Sequence, residues 1–524
     1  MKIISVRDPA GIWRKRVNPA LDDFEERSTL ILTEEHENVL RQAQGRRLLS
    51  STVNAYVHAR ERIVGFGQGG SESMTIFIRK DGHDAITVRK ILSEALTTAR
   101  WDPAGTGVML PPFAKARKQA EFLQGLPEPV RHNFPLVYDV EERRIPSTDG
   151  THREVIYEMS YVDGEEVSRF IERNSPPAAV TARLYEVIIR TLHENIHTVH
   201  RLPAPGDTLE TSYFAKIEER LNLCRRTAPA TFNGDLLDTE EIVIDGRPYR
   251  NAGPLLRAFR ARADYRRILE PRYHSLVMGD TNTENIKVAD TGPLLRAQRL
   301  IEAGAPADEV TQALEAITAH SVGIKFLDPR AIGYQGEGKQ TRDDPMYDNK
   351  PWHNSIGHYD EIHYEQFDLR VRTGGGRTPD VSIIFRDGNP YQRAYRIRDV
   401  TEADEPVDQA RPDGMEDHFA GVMTRAYGLD RPHPPFLDQD PYWLIRFVFM
   451  MGTHFTAMPP FHFQAELDGT LIDTFQTQRR PVAIYCMGIK WLNWALQMLE
   501  GTRTTFLGLP VPPLPWHNDG RTSR

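Results

Sequence analysis

The chain has 524 residues, 40% hydrophobic and 26% charged, a globular composition at a length that one core rarely fills, so two or three lobes are expected. Its net charge is −8 and its basic residues are dispersed, which argues against nucleic acid or an anionic membrane as partner. The two cysteines, Cys224 and Cys486, exclude a disulfide framework or a cysteine-built zinc site and leave one bridge between them conceivable.

In chain order, the opening run MKIISVRDPAGIWRKRV lacks the apolar stretch of a signal peptide, and Glu34 to Leu49 reads as a helix within an N-terminal extension, residues 1–60. SMTIFIRK and AITVRKIL alternate apolar and polar positions around the turn DGHD, which predicts a β-hairpin. PPFAKARKQAEFLQGLP predicts a helix that starts at proline and stops at Gly125 and Pro127. FPLVYDV and EVIYEMSYV are two further strands, with a polar loop holding Pro146, Asp149 and Gly150 between them. From Asp163 onward the pattern turns helical, as in AVTARLYEVIIRTLHENIHTVHRL and GPLLRAFRARADYRRILEPRYH. Glu402 to Asp417 reads as a surface loop. Tyr442 to Phe463 is apolar but interrupted by Arg446, His454 and two prolines, so it reads as a buried helix and not as a membrane span. VAIYCMGIKWLNWALQML is a closing apolar helix, followed by a proline-rich tail. The expected fold class is α+β, with a β-rich portion over 61–162 and a mostly helical one over 163–524, in a soluble, cytoplasmic protein. Oligomeric state is not readable.

Five features carry chemistry, and they come in one order. VGFGQGGSES, Val64 to Ser73, places Gly65, Gly67, Gly69, Gly70 and Ser71 at the mouth of the hairpin, where backbone N–H groups can approach phosphates. Strand alternation then puts Lys90 on the apolar face with Ile86 and Val88, and Arg89 on the other. A lysine so placed needs an anionic partner, and Glu121, on the following helix, is the candidate. LVMGDTNTENIKV sets Asp280 and Asn285 five apart on a loop, a carboxylate and an amide suited to orienting a hydroxyl nucleophile and holding a metal ion. GIKFLDPRAIGY ends an apolar strand at Asp328, whose oxygens suit Mg²⁺.

This ordered set resembles the aminoglycoside-phosphotransferase and choline-kinase-like group, relatives of protein kinases, over about residues 60–365. The resemblance implies a protein-kinase-like fold of two lobes that binds a magnesium nucleotide, ATP or GTP, between them. It puts Asp280 in the catalytic position of H-x-D-x-x-x-x-N, Asn285 in the loop amide position and Asp328 in the metal position. Lys90, anchored by Glu121, would hold the α/β phosphates. Met159, Tyr161 and Val162 in YEMSYVDGEEV would form the hinge against the base, and Asp344 and Asp348 in DDPMYD match a later D-P-x-x-D segment. The chain departs at Met278, where relatives carry His, at Asn282, often also His, and in a helical insertion from Gly292 to about Ala319. The function implied is transfer of the γ-phosphoryl group to a hydroxyl of a small metabolite, such as a sugar or sugar-derived alcohol. A nucleotide-binding pseudokinase and a nucleotidyl-transferring relative share the same motifs.

Two histidine-rich segments compete for attention. LHENIHTVH matches H-E-x-x-H through His193, Glu194 and His197, the mark of a zinc hydrolase, although a packed helix is the preferred reading. WHNSIGHYDEIHYEQFD gathers His353, His358 and His363 with Asp360 and Glu361, and it is similar to a stretch in kinases of bacterial capsule and surface-sugar synthesis. An acceptor surface, a second metal site and a helix with solvated polar residues all fit that segment. His454 and His462 read as packed or surface histidines.

Overall fold

The computed structural model describes residues 57–58, 60–67, 73–93, 112–147, 150–329, 342–395, 413–429, 440–464 and 470–517. The expected helix at 34–49, Gly69, Gly70 and Ser71, and most of the expected loop at 402–417 lie outside them. The fold is mixed α+β and divides into two compact units. One gathers the described residues up to Val162 with Gln464 and 470–472, and the other holds the rest.

The first unit is built on a five-stranded antiparallel sheet, β1 (Glu61–Gly67), β2 (Ser73–Lys80), β3 (Ile86–Ser93), β4 (Val137–Ser147) and β5 (Gly150–Ser160), in the order β1-β2-β3-β5-β4. The alternating run folds as expected, with Thr75 opposite Lys90 and Lys90 opposite Tyr157. Where a polar loop was expected near Pro146, the strands continue to a tight tip, Ser147 pairing with Gly150. The register of β1 slips between Ile63 and Gly65, and a Cβ on Gly65 would lie 3.2 Å from the Phe77 ring. Helix α1 (Pro112–Gln124) covers the face carrying Lys90, burying Gln119, Ala120, Phe122 and Leu123.

In the second unit, helix α2 (Val167–Asn174) leads into α3 (Ala178–Thr191), which runs on as a π-helical turn over Leu192–Ile196. The hairpin β6 (Glu241–Ile244) and β7 (Arg247–Arg250) joins a later hairpin, β11 (Phe367–Arg372) and β12 (Asp380–Phe385), through a parallel β6–β12 pairing. The long run after Gly253 is two helices, because Arg262 takes extended backbone, φ −116° and ψ 117°, and breaks it. Strand β8 (Tyr273–Leu276) precedes the loop with Asp280, and β9 (Ile286–Val288) follows it. The insertion folds as helices α4 (Gly292–Glu302) and α5 (Ala307–Glu315) before β10 (Ile324–Phe326). Short helix α6 (Tyr359–His363) precedes β11, and α7 (Met415–Tyr427) follows β12.

The core centres on α8 (Trp443–Thr456) and α9 (Arg479–Glu500), apolar nearly all round and buried nearly all round. Glycines at 452 and 488 allow their close approach, since a Cβ on Gly488 would fall 2.6 Å from the Thr456 backbone nitrogen. No helix among the described residues is long and apolar enough to cross a membrane. Cys224 and Cys486 are both buried free thiols, so the bridge that two cysteines allow is not formed.

Candidate functional site

The loop after β8 turns at Gly279, whose φ of +78° suits a residue without a side chain, and presents Asp280. Its backbone is clamped from outside. The Asp348 carboxylate accepts from the amides of Met278 at 2.8 Å and Gly279 at 2.6 Å, and lies 2.9 Å from His197 Nε2. Thr281 donates its hydroxyl to the Asp348 carbonyl at 2.8 Å. Lys350, with 0% of its side chain exposed, donates to the Gly279 carbonyl at 2.9 Å and to Asp280 Oδ1 at 2.8 Å. Asn282 donates to the same oxygen at 3.0 Å. Asp280 therefore sits in a fixed rotamer on a fixed turn, with a buried ammonium offsetting the cost of enclosing its charge.

Asn285 and Asp328, far apart in sequence, meet through strand register. Strands β9 and β10 pair Ile286 with Phe326 and Val288 with Ile324, and the Leu327 amide donates to the Asn285 carbonyl at 2.7 Å. The ladder ends with Asn285 on one strand and Asp328 just past the other, while the insertion leaves from the opposite end. Asn285 Nδ2 donates to the Asp280 carbonyl at 3.1 Å, which leaves the amide oxygen as the atom that could hold a metal ion and ties the two halves of the site together. Asp328 takes the left-handed conformation, φ +52°, uncommon for a residue with a side chain and frequent where geometry serves a site. An amide oxygen and a carboxylate are hard donors and fit Mg²⁺.

A second layer stands behind the loop. Asp344, expected as an acidic site position, accepts from Tyr213 at 2.8 Å and from the Met346 amide at 3.0 Å, and pairs with Arg446. Burial would raise it, but Arg446 outweighs burial and holds it below the ordinary carboxylate range. Asp360 accepts from Asn354 at 2.5 Å and Tyr395 at 2.6 Å, and burial pushes it up to about 7.

In the first unit, Lys90 is buried, 6% exposed, and donates to Gln119 Oε1 at 3.4 Å, an oxygen that also accepts from Tyr157 at 2.6 Å. The expected Lys90–Glu121 pair is not the one formed. Glu121 is 58% exposed and bonds Arg117 at 2.9 Å, because it lies two positions from Gln119 and so points off the opposite side of α1. The spacing of Gln119, Phe122, Leu123 and Leu126 marks the buried side, and that periodicity points to Gln119. On the other sheet face, Arg89 makes a two-pronged bond to Glu61 at 2.8 and 2.9 Å and pairs with Glu158. Gly65 and Gly67 lie on β1, Met159 on β5 beside Val88, and Tyr161 packs edge-on to Phe77 at 5.6 Å. The first unit ends at Val162.

The H-E-x-x-H histidines do not form a zinc pair. The π-turn offsets their one-turn spacing, His197 bonds Asp348, His193 packs on Tyr427 at 5.1 Å, and Glu194 is exposed. Among the described residues the grouping of possible metal ligands is His58, Glu61 and Glu158, and there Arg89 already holds both carboxylates. The segment from Trp352 to Ile362, for which solvated polar residues were one expectation, is buried almost throughout. Lys350 was missed, since nothing in DNKPWH signals a partner seventy positions upstream.

No family model matches the chain, and no curated protein matches it. Among solved structures it is similar to the structure of the microcompartment-associated aminopropanol kinase, with 11% identity, 90% of this chain and 98% of that one covered, and a TM-score of 0.35. A likeness of that size carries no weight for function.

Proposed function

We propose that the chain transfers the γ-phosphoryl group of a magnesium nucleotide, ATP or GTP, to a hydroxyl of a small metabolite, in the manner of the aminoglycoside-phosphotransferase-like kinases that its motifs resemble. The observation that supports this reading is the convergence of Asp280, Asn285 and Asp328 at one end of the β9–β10 ladder. Asp280 accepts a hydrogen bond from the acceptor hydroxyl and aims its oxygen at the phosphorus, while Lys350 and Asn282 keep the carboxylate from swinging away. Asn285 and Asp328 are the residues that would hold Mg²⁺, which when bound offsets charge on the phosphate oxygens. Lys90, steadied by Gln119, is the residue assigned to the phosphates. Positioning and charge stabilisation are the terms that count in such a transfer, and the clamped loop supplies the first of them.

The test is the Asp280→Asn variant. It should lower turnover by about a hundredfold or more while nucleotide still binds. Unchanged turnover would remove Asp280 from the role, and a wild type that binds nucleotide without turnover would favour the pseudokinase reading.

A further inference from the structure

The five-stranded sheet of the first unit divides its charges between two faces. On one, they pair with each other: Arg89 holds Glu61 and Glu158, and Lys80 donates to Glu158 at 3.0 Å. The opposite face, which carries Phe77 and Lys90, sets Arg62 on β1 directly across from Arg79 on β2. Cβ atoms of residues so opposed lie about 4.5–5.5 Å apart, and like charges at that spacing repel. Both arginines are half-buried, and the Nε atom of each is buried without a hydrogen bond. Among the described residues neither guanidinium has an ion-pair partner, and Glu61, the acid next to Arg62, points to the paired face.

Water does not explain this pair as it explains another. Arg144 and Arg153 also face each other, across β4 and β5, but both are exposed. Arg62 and Arg79 border an aromatic surface instead. Two residues in from Arg79, Phe77 packs edge-on to Tyr161 at 5.6 Å, and opposite Phe77 stands Gly65, which adds no side chain. Helix α1 lies over β3, β4 and β5 of the same face. Arg79 follows Thr75, the residue opposite Lys90, by four positions, about 13 Å along the strand. The arginines are therefore separate from the phosphates assigned to Lys90.

We infer that Arg62 and Arg79 form a second anion site, one that takes a phosphate dianion, free or as a monoester. Each guanidinium is a planar fork that grips two oxygens through Nε–H and one Nη–H. Two opposed forks suit the oxygens of one phosphoryl group, and the buried Nε atoms gain the partners they lack. Charge selects the same ligand. A phosphate monoester carries about −1.5 to −2 near pH 7, enough to offset both cations, where a carboxylate offsets one. Phe77 and Tyr161 beside the forks offer the organic part of an ester an apolar face to lie on. The site is built within the sheet and does not rest on the phosphotransfer reading.

Titration calorimetry and thermal unfolding of the full chain test it, with phenyl phosphate as the ester, inorganic phosphate as the free anion and benzoate as a monoanion with the same ring. Phenyl phosphate should bind, raise the wild-type Tm, and bind about tenfold or more weakly to Arg62→Gln and to Arg79→Gln. Arg144→Gln, at the exposed pair, should bind it as the wild type does. Without phosphate, Arg62→Gln and Arg79→Gln should melt no lower than the wild type, since each removes a repulsion that a purely structural pair would not carry. Tighter binding of phenyl than of inorganic phosphate assigns the ligand to an ester, and equal binding assigns it to free phosphate; both support the site. No phosphate binding, binding undisturbed in both variants, benzoate binding as tightly, or variants that melt below the wild type would overturn the inference. If phosphate binds and the variants weaken it while Mg-nucleotide is not turned over, the site stands and the phosphotransfer reading falls.

Discussion

Asp348 has one carboxylate and three partners, and its removal should be felt twice. Asp348→Asn puts an amide where two backbone N–H groups and His197 converge, leaving at least one donor facing another donor. The expected loss is about 3 kcal/mol in urea unfolding, with turnover falling further than folding alone accounts for. Asp360 offers a prediction of opposite kind. Its folded value near 7 exceeds the ordinary 3.8, so the native state holds that proton more tightly than the unfolded chain does. This contribution to stability is complete below about pH 4 and is lost as pH rises through 7. Asp360→Asn should flatten that part of the urea-midpoint curve, and an unchanged slope would move the effect elsewhere. At this scale the sequence was legible where chemistry is local. Asp280 and Asn285 share one loop, so their nearness could be read from spacing. Lys350 comes to Asp280 from another turn entirely, and the charge of Glu121 suggests a partner for Lys90 where periodicity gives Gln119.

Elements were read well wherever one face is apolar. The hairpin of β2 and β3 followed from alternation, and α9 from a long apolar run in which Lys490, Asn493 and Gln497 are the few polar positions. Misreadings came where polar residues continue a regular element. β4 and β5 extend past the residues that looked like a loop, because ladder pairing satisfies their backbone whatever the side chains are. The zincin-like spacing misleads for a related reason: it assumes an α-helical turn where the chain makes a wider one. The α8–α9 contact supports a sharp expectation. Alanine at 488 raises helix propensity, yet its methyl group would meet the Thr456 backbone, which cannot turn aside as a side chain can. Gly488→Ala should destabilise by about 1–3 kcal/mol, whereas the same change at an exposed helical glycine would stabilise. Thermal unfolding of the single variant decides it.

For the molecule as a whole, acid and thiol chemistry report on packing. Burial holds His353, His363 and His462 below the ordinary histidine value, so the native state resists protonation that the unfolded chain accepts. Their contribution is present above about pH 6.5 and is lost as pH falls below it. Three histidines act against the carboxyls that burial raises, Asp360, Asp343 and Glu166, and the thermal midpoint should drop on going from pH 7 to pH 5. Cys224 and Cys486 lie in the same interior, and burial raises both thiols. A thiol reagent should therefore label neither in the native protein and both after unfolding, and a reductant should leave the thermal midpoint where it was. Labelling of the native chain would mean that the helices around α9 open readily. The α+β class was legible from composition and order, because strands and helices segregate along the chain. The depth at which the Trp352–Ile362 segment lies was not, since its carboxylates Asp360 and Glu361 are met by Asn354 and His358 of the same segment, a pairing that composition does not announce.

The ladder between β9 and β10 sets Asn285 opposite Leu327, one residue short of Asp328, so the place of Asp328 is a question of register. Side chains on a strand alternate sides, so one residue added inside Ile324–Phe326 would turn the strand's later side chains to the wrong flank and shift Asp328, just past its end, away from Asn285. Residues added among the helices at the ladder's far end leave the count untouched. Asp328 can thus stay one residue past the partner of Asn285 across a stretch of chain whose length is free to drift.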